Sequence, residues 1–325
     1  MTTVKNRSPF IILLFVFLFV FSTMINAQVP PRFYWHSLSG GKAVPVIGMS
    51  VNGNANPLDP SHHVTANANI EATIVLTGFA QTFKISERAA TLAILVPVGH
   101  ISSEVFLANQ PIIDNANGFG DPMLEFDINI LGPKAIKNIP DLIRYEPGFS
   151  LDLLIDLAIP IGKYDNSQSL NLGQNRWYGR LASPVVWQLG PWIPSRRTTL
   201  EFIPSLWVFS DNTDFLGSTL SSDPMFELES HLTRDFHKDL WGSLDMILIT
   251  GGKASVDGVS GENLNMTGAG FTLGYHINDN LQFTLGYITS LNDDDPTDLR
   301  MDSFKISLVF GWHPLIAGMK RLEEN

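Results

Sequence analysis

Strict alternation of apolar and polar positions is the strongest pattern in this chain. The stretch 303–312 places a large apolar residue at every second position, namely Phe304, Ile306, Leu308, Phe310 and Trp312. Successive side chains of a β-strand point to opposite faces, so a period of two predicts a strand with one apolar face. The other face carries small or polar residues such as Ser303, Lys305 and Ser307.

The same alternation recurs upstream. Residues 271–277 and 281–291 have the pattern of two further strands, and the intervening Asn278-Asp279-Asn280 is short enough for a hairpin turn. In the stretch 149–159, Asp152 and Asp156 occupy alternate positions of an otherwise apolar strand. Carboxylates at such positions predict that one face of the sheet meets polar groups.

Clusters of Gly, Pro, Asn and Asp divide the chain into about twelve candidate strands, each near the ~10 residues that a tilted membrane strand needs. An even count suits a closed sheet, although the irregular stretch before residue 68 leaves the count open by two. The sequence therefore predicts an all-β fold, a transmembrane antiparallel up-and-down β-barrel of about 12 strands of the outer-membrane type. The candidate strands are 44–52, 68–83, 89–104, 119–131, 147–162, 176–189, 197–210, 224–236, 240–252, 266–278, 280–291 and 302–313.

A soluble sandwich would also alternate, so periodicity alone does not separate the two classes. The size and aromatic character of the apolar face favour the membrane. Large aromatic residues fall near strand ends, where an interfacial girdle is expected. They are Trp177, Trp187, Phe202, Trp207, Trp241 and Trp312.

The N-terminus predicts export. Lys5 and Arg7 precede an apolar run over 10–21 and a small residue, Ala27, as in a secretory signal peptide cleaved after residue 27. The alternative is a membrane anchor, but the run is shorter than the ~20 apolar residues of a spanning helix. Export of a barrel predicts the outer membrane of a Gram-negative-type bacterium.

Composition excludes several classes of partner and site. The formal net charge is −11, and loss of Lys5 and Arg7 with the signal would make it −13, which argues against nucleic acid as a partner. The chain has no cysteine, so disulfides, thiolate metal sites and cysteine nucleophiles are excluded. The expected partners are the lipid bilayer, a small-molecule cargo and the barrel-assembly machinery.

The expected division of the chain is a signal peptide at 1–27, an N-terminal segment at 28–64 that contains the first strand, the barrel at 65–313 and a tail at 314–325. The segment 28–64 is rich in Gly, Pro and Asn and is a candidate plug for the lumen. Longer excursions are expected at 105–118, 132–146, 163–175, 211–223 and 253–265. Prolines within strands remove a ladder donor and predict bulges or kinks, at Pro97, Pro160, Pro184 and Pro204.

One region resembles a known family. The segments 118–122, 160–165 and 171–177, of sequence GFGDP, PIGKYD and NLGQNRW, are similar to the outer-membrane family named for the MetA pathway of phenol degradation. The resemblance extends with the strand pattern over most of residues 65–313. It implies a bacterial membrane barrel linked to uptake of aromatic or other hydrophobic compounds. The motif residues are Gly118, Gly120, Asp121, Pro160, Gly162, Asp165, Asn171, Gly173, Asn175 and Trp177.

Charged residues within strands are predicted to face the lumen, because ionised groups are costly against lipid. They form either an electrostatic lining that disfavours anions or a network of mutually paired charges that fills a narrow barrel. The principal candidates are Asp152, Asp156, Arg180, Glu201, Glu227, Glu229, Asp245 and Lys305, and strand parity adds Asp121, Glu125, Asp127 and Arg197.

The predicted function is a channel for passive uptake of small hydrophobic or aromatic compounds, without a cofactor. A barrel enzyme of the lipase or protease type is an alternative, since His231 lies two residues from Glu229, but no nucleophile elbow occurs. A structural or adhesive surface barrel is a third possibility. His62-His63 and Asp293-Asp294-Asp295 are interpreted as solvated loop groups, and no metal site is expected.

Overall fold

The computed structural model describes residues 30–65, 67–107, 110–292, 295 and 297–317 of the 325-residue chain. The expected signal peptide at 1–27, Asp293 and Asp294, and the last eight residues of the tail lie outside the described residues. Within the described residues, no helix is long and apolar enough to cross a bilayer.

Almost all of the described chain is β-structure. One short helix, α1, covers Ile139–Arg144 and begins after Asn138, whose side chain accepts a hydrogen bond from the Asp141 amide at 2.9 Å. The strands are β1 Lys42–Gly53, β2 Asn69–Ile85, β3 Arg88–Leu107, β4 Gln110–Phe119, β5 Met123–Leu131, β6 Phe149–Ala158, β7 Tyr178–Ala182, β8 Val185–Gln188, β9 Thr198–Phe209, β10 Asn212–Phe215, β11 Ser218–Ser222, β12 Met225–Asp235, β13 Leu240–Gly251, β14 Ala254–Val256, β15 Val259–Ser260, β16 Leu264–Asn278, β17 Leu281–Ser290 and β18 Met301–Trp312.

The main sheet closes on itself. Strand β1 pairs with both β2 and β18, and β9 pairs with β12, so that the antiparallel ladder runs around the whole circumference. Two of the wall positions are interrupted. Strands β4 and β5 pair in turn with β3, and β7 and β8 pair in turn with β6 and β9. The wall therefore has twelve strand positions, and the predicted twelve-stranded antiparallel barrel is confirmed.

The interruptions coincide with prolines. Pro184 separates β7 from β8, and its carbonyl still accepts a hydrogen bond from the Asp152 amide at 2.8 Å. On the neighbouring strand, the Pro204 carbonyl accepts from the Ser183 amide at 3.0 Å. Pro97 lies on β3 opposite the gap between β4 and β5, where its carbonyl accepts from Gly120 at 2.8 Å. The missing proline donors thus interrupt the ladder locally without opening the ring.

The polarity of the wall is reversed relative to a soluble protein. On β18, Ser303, Lys305 and Ser307 are buried inside the barrel, while Leu308 and Phe310 are exposed on the outer surface. Similar exposed apolar residues surround the barrel, including Leu92, Ile155, Leu206, Leu244 and Phe271. An apolar outer band with a polar interior is the arrangement expected of strands that cross hydrocarbon.

Two of the tryptophans assigned to an interfacial girdle are inside instead. Trp177 and Trp187 are half exposed on the outer surface, but Trp207 and Trp241 are buried in the interior. Gly274 lies opposite Trp241 in the register, and a Cβ there would lie 2.0 Å from the indole ring. The glycine provides the space for the Trp241 ring. Trp241 shares the strand parity of Asp245, so the alternation itself indicates the inner face, and the girdle assignment is wrong for this residue.

The two ends of the barrel differ. At the short-turn end lie the chain reversals at 86–87, 236–239 and 279–280, together with the connection 132–148 that contains α1. At the long-loop end lie the connections 54–68, 159–177, 210–224, 252–263 and 291–300.

Four of the expected excursions differ in detail. Much of 105–118 is strand, because β4 continues as a hairpin with β3. The connection 132–146 lies at the short-turn end, away from the other excursions. Residues 211–223 and 253–265 contribute β10, β11, β14 and β15, which form a small separate sheet at the long-loop end.

The outer band makes a prediction about lipid exposure. Leu244 lies near the middle of β13 and is 67% exposed. We expect Leu244→Arg to lower the free energy of unfolding by about 2–4 kcal/mol in lipid vesicles, because the guanidinium would face hydrocarbon. Urea titration followed by heat-modifiable gel mobility measures this. The control is Leu216→Arg, at the β10–β11 turn, which should change the stability little; equal losses in both variants would contradict a lipid-facing band.

Candidate functional site

The interior of the barrel is the candidate functional site. All eight principal candidates have buried side chains: Asp152, Asp156, Arg180, Glu201, Glu227, Glu229, Asp245 and Lys305. The additional carboxylates Asp121, Glu125 and Asp127 are buried as well. Since strand parity puts these groups on the inner face, the inner wall has an excess of acidic side chains.

Arg180 is the centre of one network. The residues Glu125, Asp156 and Arg180 lie directly opposite one another on the neighbouring strands β5, β6 and β7. The Arg180 Nε donates to Asp156 at 2.6 Å, and its Nη1 lies 3.4 Å from Glu229 and 3.7 Å from Glu227. One guanidinium thus lies close to three carboxylates. Buried charges need such oppositely charged partners, because an unpaired buried charge is destabilising.

A second network surrounds Asp245. Its carboxylate is hydrogen-bonded to His231 Nδ1 at 2.9 Å and accepts from the hydroxyls of Ser243 and Thr272 at 2.5 and 2.6 Å. The His231 Nε2 has no hydrogen-bond partner among the described residues. Ser243 and His231 therefore both contact the same carboxylate, and the hydroxyl does not donate to the imidazole as a serine nucleophile would.

The N-terminal segment, residues 30–39, enters the lumen from the short-turn end. Its Arg32 guanidinium donates to Asp235 at 2.7 Å, and the Trp35 indole donates to Glu201 at 2.8 Å. Further along, His36 Nε2 lies 2.7 Å from Asp152. Two of these wall carboxylates, Glu201 and Asp152, were predicted from the strand pattern, whereas Asp235 was not among the candidates.

Aromatic rings surround the same arginine. The Arg32 guanidinium lies 4.3 Å from the ring centroid of Trp35 and 4.5 Å from that of Trp241. Arg197 lies 5.5 Å from Trp35 and 5.6 Å from Trp192. Cation–π contacts of this kind are stronger when water is excluded, so they help hold the segment against the wall.

The connection between β1 and β2 enters the lumen from the opposite end. Within it, Asp59 accepts from Arg176 Nη2 at 2.9 Å, and both partners are buried. Burial alone would raise the pKa of the Asp59 carboxyl, but the Arg176 charge and hydrogen bonds from Ser61 outweigh it, so the pKa lies below its ordinary value. The loop therefore retains its buried ion pair in mildly acidic solution.

His62 in this loop corrects the expectation of a solvated group. Its side chain is only 8% exposed, and its Nδ1 has no hydrogen-bond partner among the described residues. Burial lowers the pKa of His62 to about 4, although the nearby Asp59 carboxylate favours the charged form. The polar composition of the loop indicates solvent exposure, but in the structure the loop turns into the barrel. Within the described residues, no group of three or more His, Asp or Glu is arranged to hold a metal ion.

The motif glycines bring three backbone segments into contact. A Cβ on Gly162 would lie 2.6 Å from the Gly120 carbonyl carbon, and one on Gly173 would lie 2.6 Å from that of Gly162. Asp121 joins the same segments, because its carboxylate accepts from the amides of Gly162 at 2.8 Å and Gln174 at 2.7 Å. The three separate motif segments thus form one tightly packed unit.

Other motif residues shape the excursion at 159–177. Asn171 accepts from the Asp165 amide at 2.7 Å and donates to the Gln168 carbonyl at 3.0 Å. Asn175 has a positive φ of 52° and donates to Asn212 at 3.0 Å. Gly118 also has a positive φ, Pro160 follows the end of β6, and Trp177 is exposed. These contacts direct the segment inward, so that Leu172 lies in the interior.

A largely apolar cavity of about 200 Å³ lies between the two inserted segments. Pro30 and Phe33 line it from the short-turn end, and Leu58, Pro60 and His62 line it from the long-loop end. Its walls include Met49, Met123, Leu172, Tyr178, Trp207 and Ile249, with Arg180 and the carboxylates Asp121, Glu125, Glu227 and Glu229. The arrangement can enclose a small apolar molecule next to charged groups.

Several residues of this site have no signal in the sequence. Arg32, Trp35 and His36 belong to an irregular segment, and Arg176 lies in a motif segment, just before the observed start of β7. Only their partners, such as Glu201 and Asp152, follow from the strand pattern. The predicted wall has fewer basic residues than carboxylates. This shortage is the one indication in the sequence that basic side chains from outside the strands pair with the wall carboxylates.

Comparison with known proteins places the chain among bacterial barrels. The model of a family described as "Putative MetA-pathway of phenol degradation" matches residues 41–304. An outer membrane channel of the COG4313 group from Pseudomonas putida F1 has a similar structure, with a TM-score of 0.68 at 17% identity over 87% of this chain and 99% of that one. No curated protein matches.

Autotransporter barrels are more distant. The translocator domain of NalP from Neisseria meningitidis gives a TM-score of 0.45 at 8% identity, over 85% of this chain and 90% of that chain. The transport unit of AIDA-I from Escherichia coli gives 0.44 at 9% identity, over 88% and 93%.

The buried histidine predicts a pH dependence of the inserted loop. Because the pKa of His62 falls from 6.5 to about 4 on insertion, the inserted state is fully stable above pH 6.5 and weakens as the pH falls toward 4. At pH 5 the loss is about 2 kcal/mol. We expect single-channel conductance in planar bilayers to rise between pH 7.5 and pH 5.

His62→Gln should remove most of that rise, whereas His237→Gln, which alters an exposed histidine at the short-turn end, should leave it intact. A pH response that is the same in both variants would show that another group is responsible.

Proposed function

Because the chain belongs to the MetA-pathway of phenol degradation family, whose model matches residues 41–304, we propose that it is an outer-membrane channel for passive uptake of small hydrophobic or aromatic molecules. The similar protein of Pseudomonas putida F1 is an outer membrane channel, and the family description names phenol degradation. An exported precursor, inserted by the barrel-assembly machinery after removal of residues 1–27, would deliver it to that membrane.

The observation that carries the proposal is the apolar cavity in the middle of the barrel. Its volume of about 200 Å³ can be compared with engineered apolar protein cavities of roughly 150 Å³, which bind benzene. Residues from β1, β3, β5, β9 and β13 line it, so it lies in the interior of the barrel and is reached from strands around the wall. A molecule in transit would leave water and contact side chains such as Met49, Trp207 and Ile249.

Passage would require the two inserted segments to move. Residues 30–36 and 54–65 occupy the lumen on either side of the cavity, and we assign to the first of these the role of a plug. Its contacts with Asp235, Glu201 and Asp152 involve wall carboxylates, which would remain when the segment withdraws. The charged wall then serves two purposes, to hold the plug and to disfavour anions when the lumen is open.

The plug predicts a gain of conductance. We expect the double variant Arg32→Ala and Trp35→Ala to raise the single-channel conductance and to admit small sugars in liposome swelling, because the contacts that hold residues 30–36 are lost. Arg234→Ala is a matched control, since Arg234 is exposed at the short-turn end. Unchanged conductance in the double variant would argue against a plug.

The uptake function predicts faster entry of apolar molecules into cells. We expect expression of the protein in a host whose lipopolysaccharide resists such molecules to raise the initial uptake of radiolabelled benzyl alcohol severalfold. A large side chain in the cavity, as in Met49→Trp, should abolish the gain. The same variant should retain the heat-modifiable mobility of a folded barrel. No gain with the unaltered protein would refute the proposed cargo class.

A further inference from the structure

One carboxylate of the cavity differs from the others in its surroundings. Glu125 lies on β5 and lines the cavity, and its side chain is only 4% exposed. The strand register puts it directly opposite Asp156, whose carboxylate binds Arg180 Nε at 2.6 Å. Among the described residues, no side chain or backbone group donates a hydrogen bond to Glu125, and no cationic nitrogen lies within 4.0 Å of it.

The other acidic groups of the cavity have partners. Asp121 accepts from two backbone amides, of Gly162 and Gln174. Glu229 lies 3.4 Å from Arg180 and Glu227 lies 3.7 Å from it. The same guanidinium also donates to the Tyr34 hydroxyl at 3.3 Å, so its donors are shared among the neighbours of Glu125.

A buried carboxylate without a donor is costly unless it takes up a proton, or unless a cation or hydrogen-bond donor approaches it. A bound cation favours the ionised form over the protonated one. The apolar cavity is the space from which such a group can come. Next to Glu125 on the inner wall lie Met123 on the same strand and Leu95, which is opposite Met123 on β3. Flexible apolar side chains of this kind adapt to the body of a small ligand.

The net charge of the lining selects the ligand's charge. Of the charged residues that line the cavity in the described part of the chain, four are acidic and Arg180 is basic. A carboxylate or phenolate ligand would meet an excess of negative groups. A protonated amine would supply both the missing positive charge and up to three donors.

We propose that the cavity binds small primary amines with an apolar or aromatic body, and that the ammonium group binds the Glu125 carboxylate. This assignment rests on the proposed passage of small apolar molecules and narrows its class to organic cations. The apolar body of the amine lies against Met123 and Leu95. The ammonium donates hydrogen bonds to the carboxylate in place of the water molecules that the carboxylate lost when it was buried.

Calorimetric titration of the full mature chain in lipid nanodiscs tests the assignment, with empty nanodiscs as the blank. Benzylamine, benzyl alcohol and benzoate have similar size and differ in charge. We expect benzylamine to bind about tenfold more tightly than benzyl alcohol or better, since a charge-assisted hydrogen bond replaces a neutral one, and benzoate to bind more weakly than either.

Glu125→Gln should bring benzylamine to within about threefold of benzyl alcohol while the alcohol still binds, which also shows that the cavity is intact. The matched control Glu262→Gln removes the same charge from an exposed loop and should keep the amine preference. If the amine preference survives Glu125→Gln, the assignment is wrong.

The outcomes separate this inference from the proposed function. Equal binding of benzylamine and benzyl alcohol by the unaltered protein would overturn the amine site and leave the apolar cargo intact. Failure of both ligands to bind would overturn both proposals. Loss of the preference in Glu227→Gln but not in Glu125→Gln would overturn the choice of Glu125.

Discussion

A strand that crosses hydrocarbon must have the hydrogen-bonding groups of both backbone edges paired, and the closed ladder meets that requirement. Because the ring closes between β1 and β18 and between β9 and β12, the main wall has no free edge facing lipid. Closure also separates two environments. Where the strands cross hydrocarbon, every second side chain faces lipid, so the charged side chains of that part of the wall lie in the interior, and exposed ones such as Arg234 lie near the strand ends.

The confinement of acidic side chains explains why the lumen is filled at the short-turn end. Wall carboxylates outnumber wall cations, and the balance comes from segments outside the strands. Arg32 of the N-terminal segment binds Asp235 of the wall. At the long-loop end, Asp59 of the β1–β2 connection pairs with Arg176, which lies before β7. Desolvated charges favour such pairing strongly, because an unpaired buried charge is destabilising by several kcal/mol. At the short-turn end, electrostatic balance and occlusion of the lumen therefore have the same origin.

The strands were accessible to sequence reasoning because lipid exposure enforces strict parity over long stretches. The twelve wall positions, including the interrupted ones near Pro97 and Pro184, agree with the predicted pattern. Parity also puts Asp152 and Glu227 inside. It does not reveal the glycine on the neighbouring strand that makes room for the Trp241 ring, nor the burial of His62 in a loop whose Asp59 pairs with a distant arginine.

The cavity was inaccessible for a related reason. The boundary of the cavity toward the long-loop end depends on backbone packing among Gly120, Gly162 and Gly173, which are not adjacent in the sequence. The resemblance of these motif segments to a family indicates that they matter, but only the folded chain brings them together. Irregular segments have no period, so their contacts follow from tertiary packing alone.

Both segments that occlude the lumen are attached to the same strand. Residues 30–41 lead into the start of β1, and residues 54–65 follow its end. Since β1 is paired in register with β18 and β2 on either side, a slip of one residue would turn its entire inner face outward. Movement of one inserted segment therefore cannot displace the other through a shift of β1 along its neighbours. Under the proposed function, the two inserted segments would therefore move independently of each other, and a small molecule could be held in the cavity while both segments stay in the lumen.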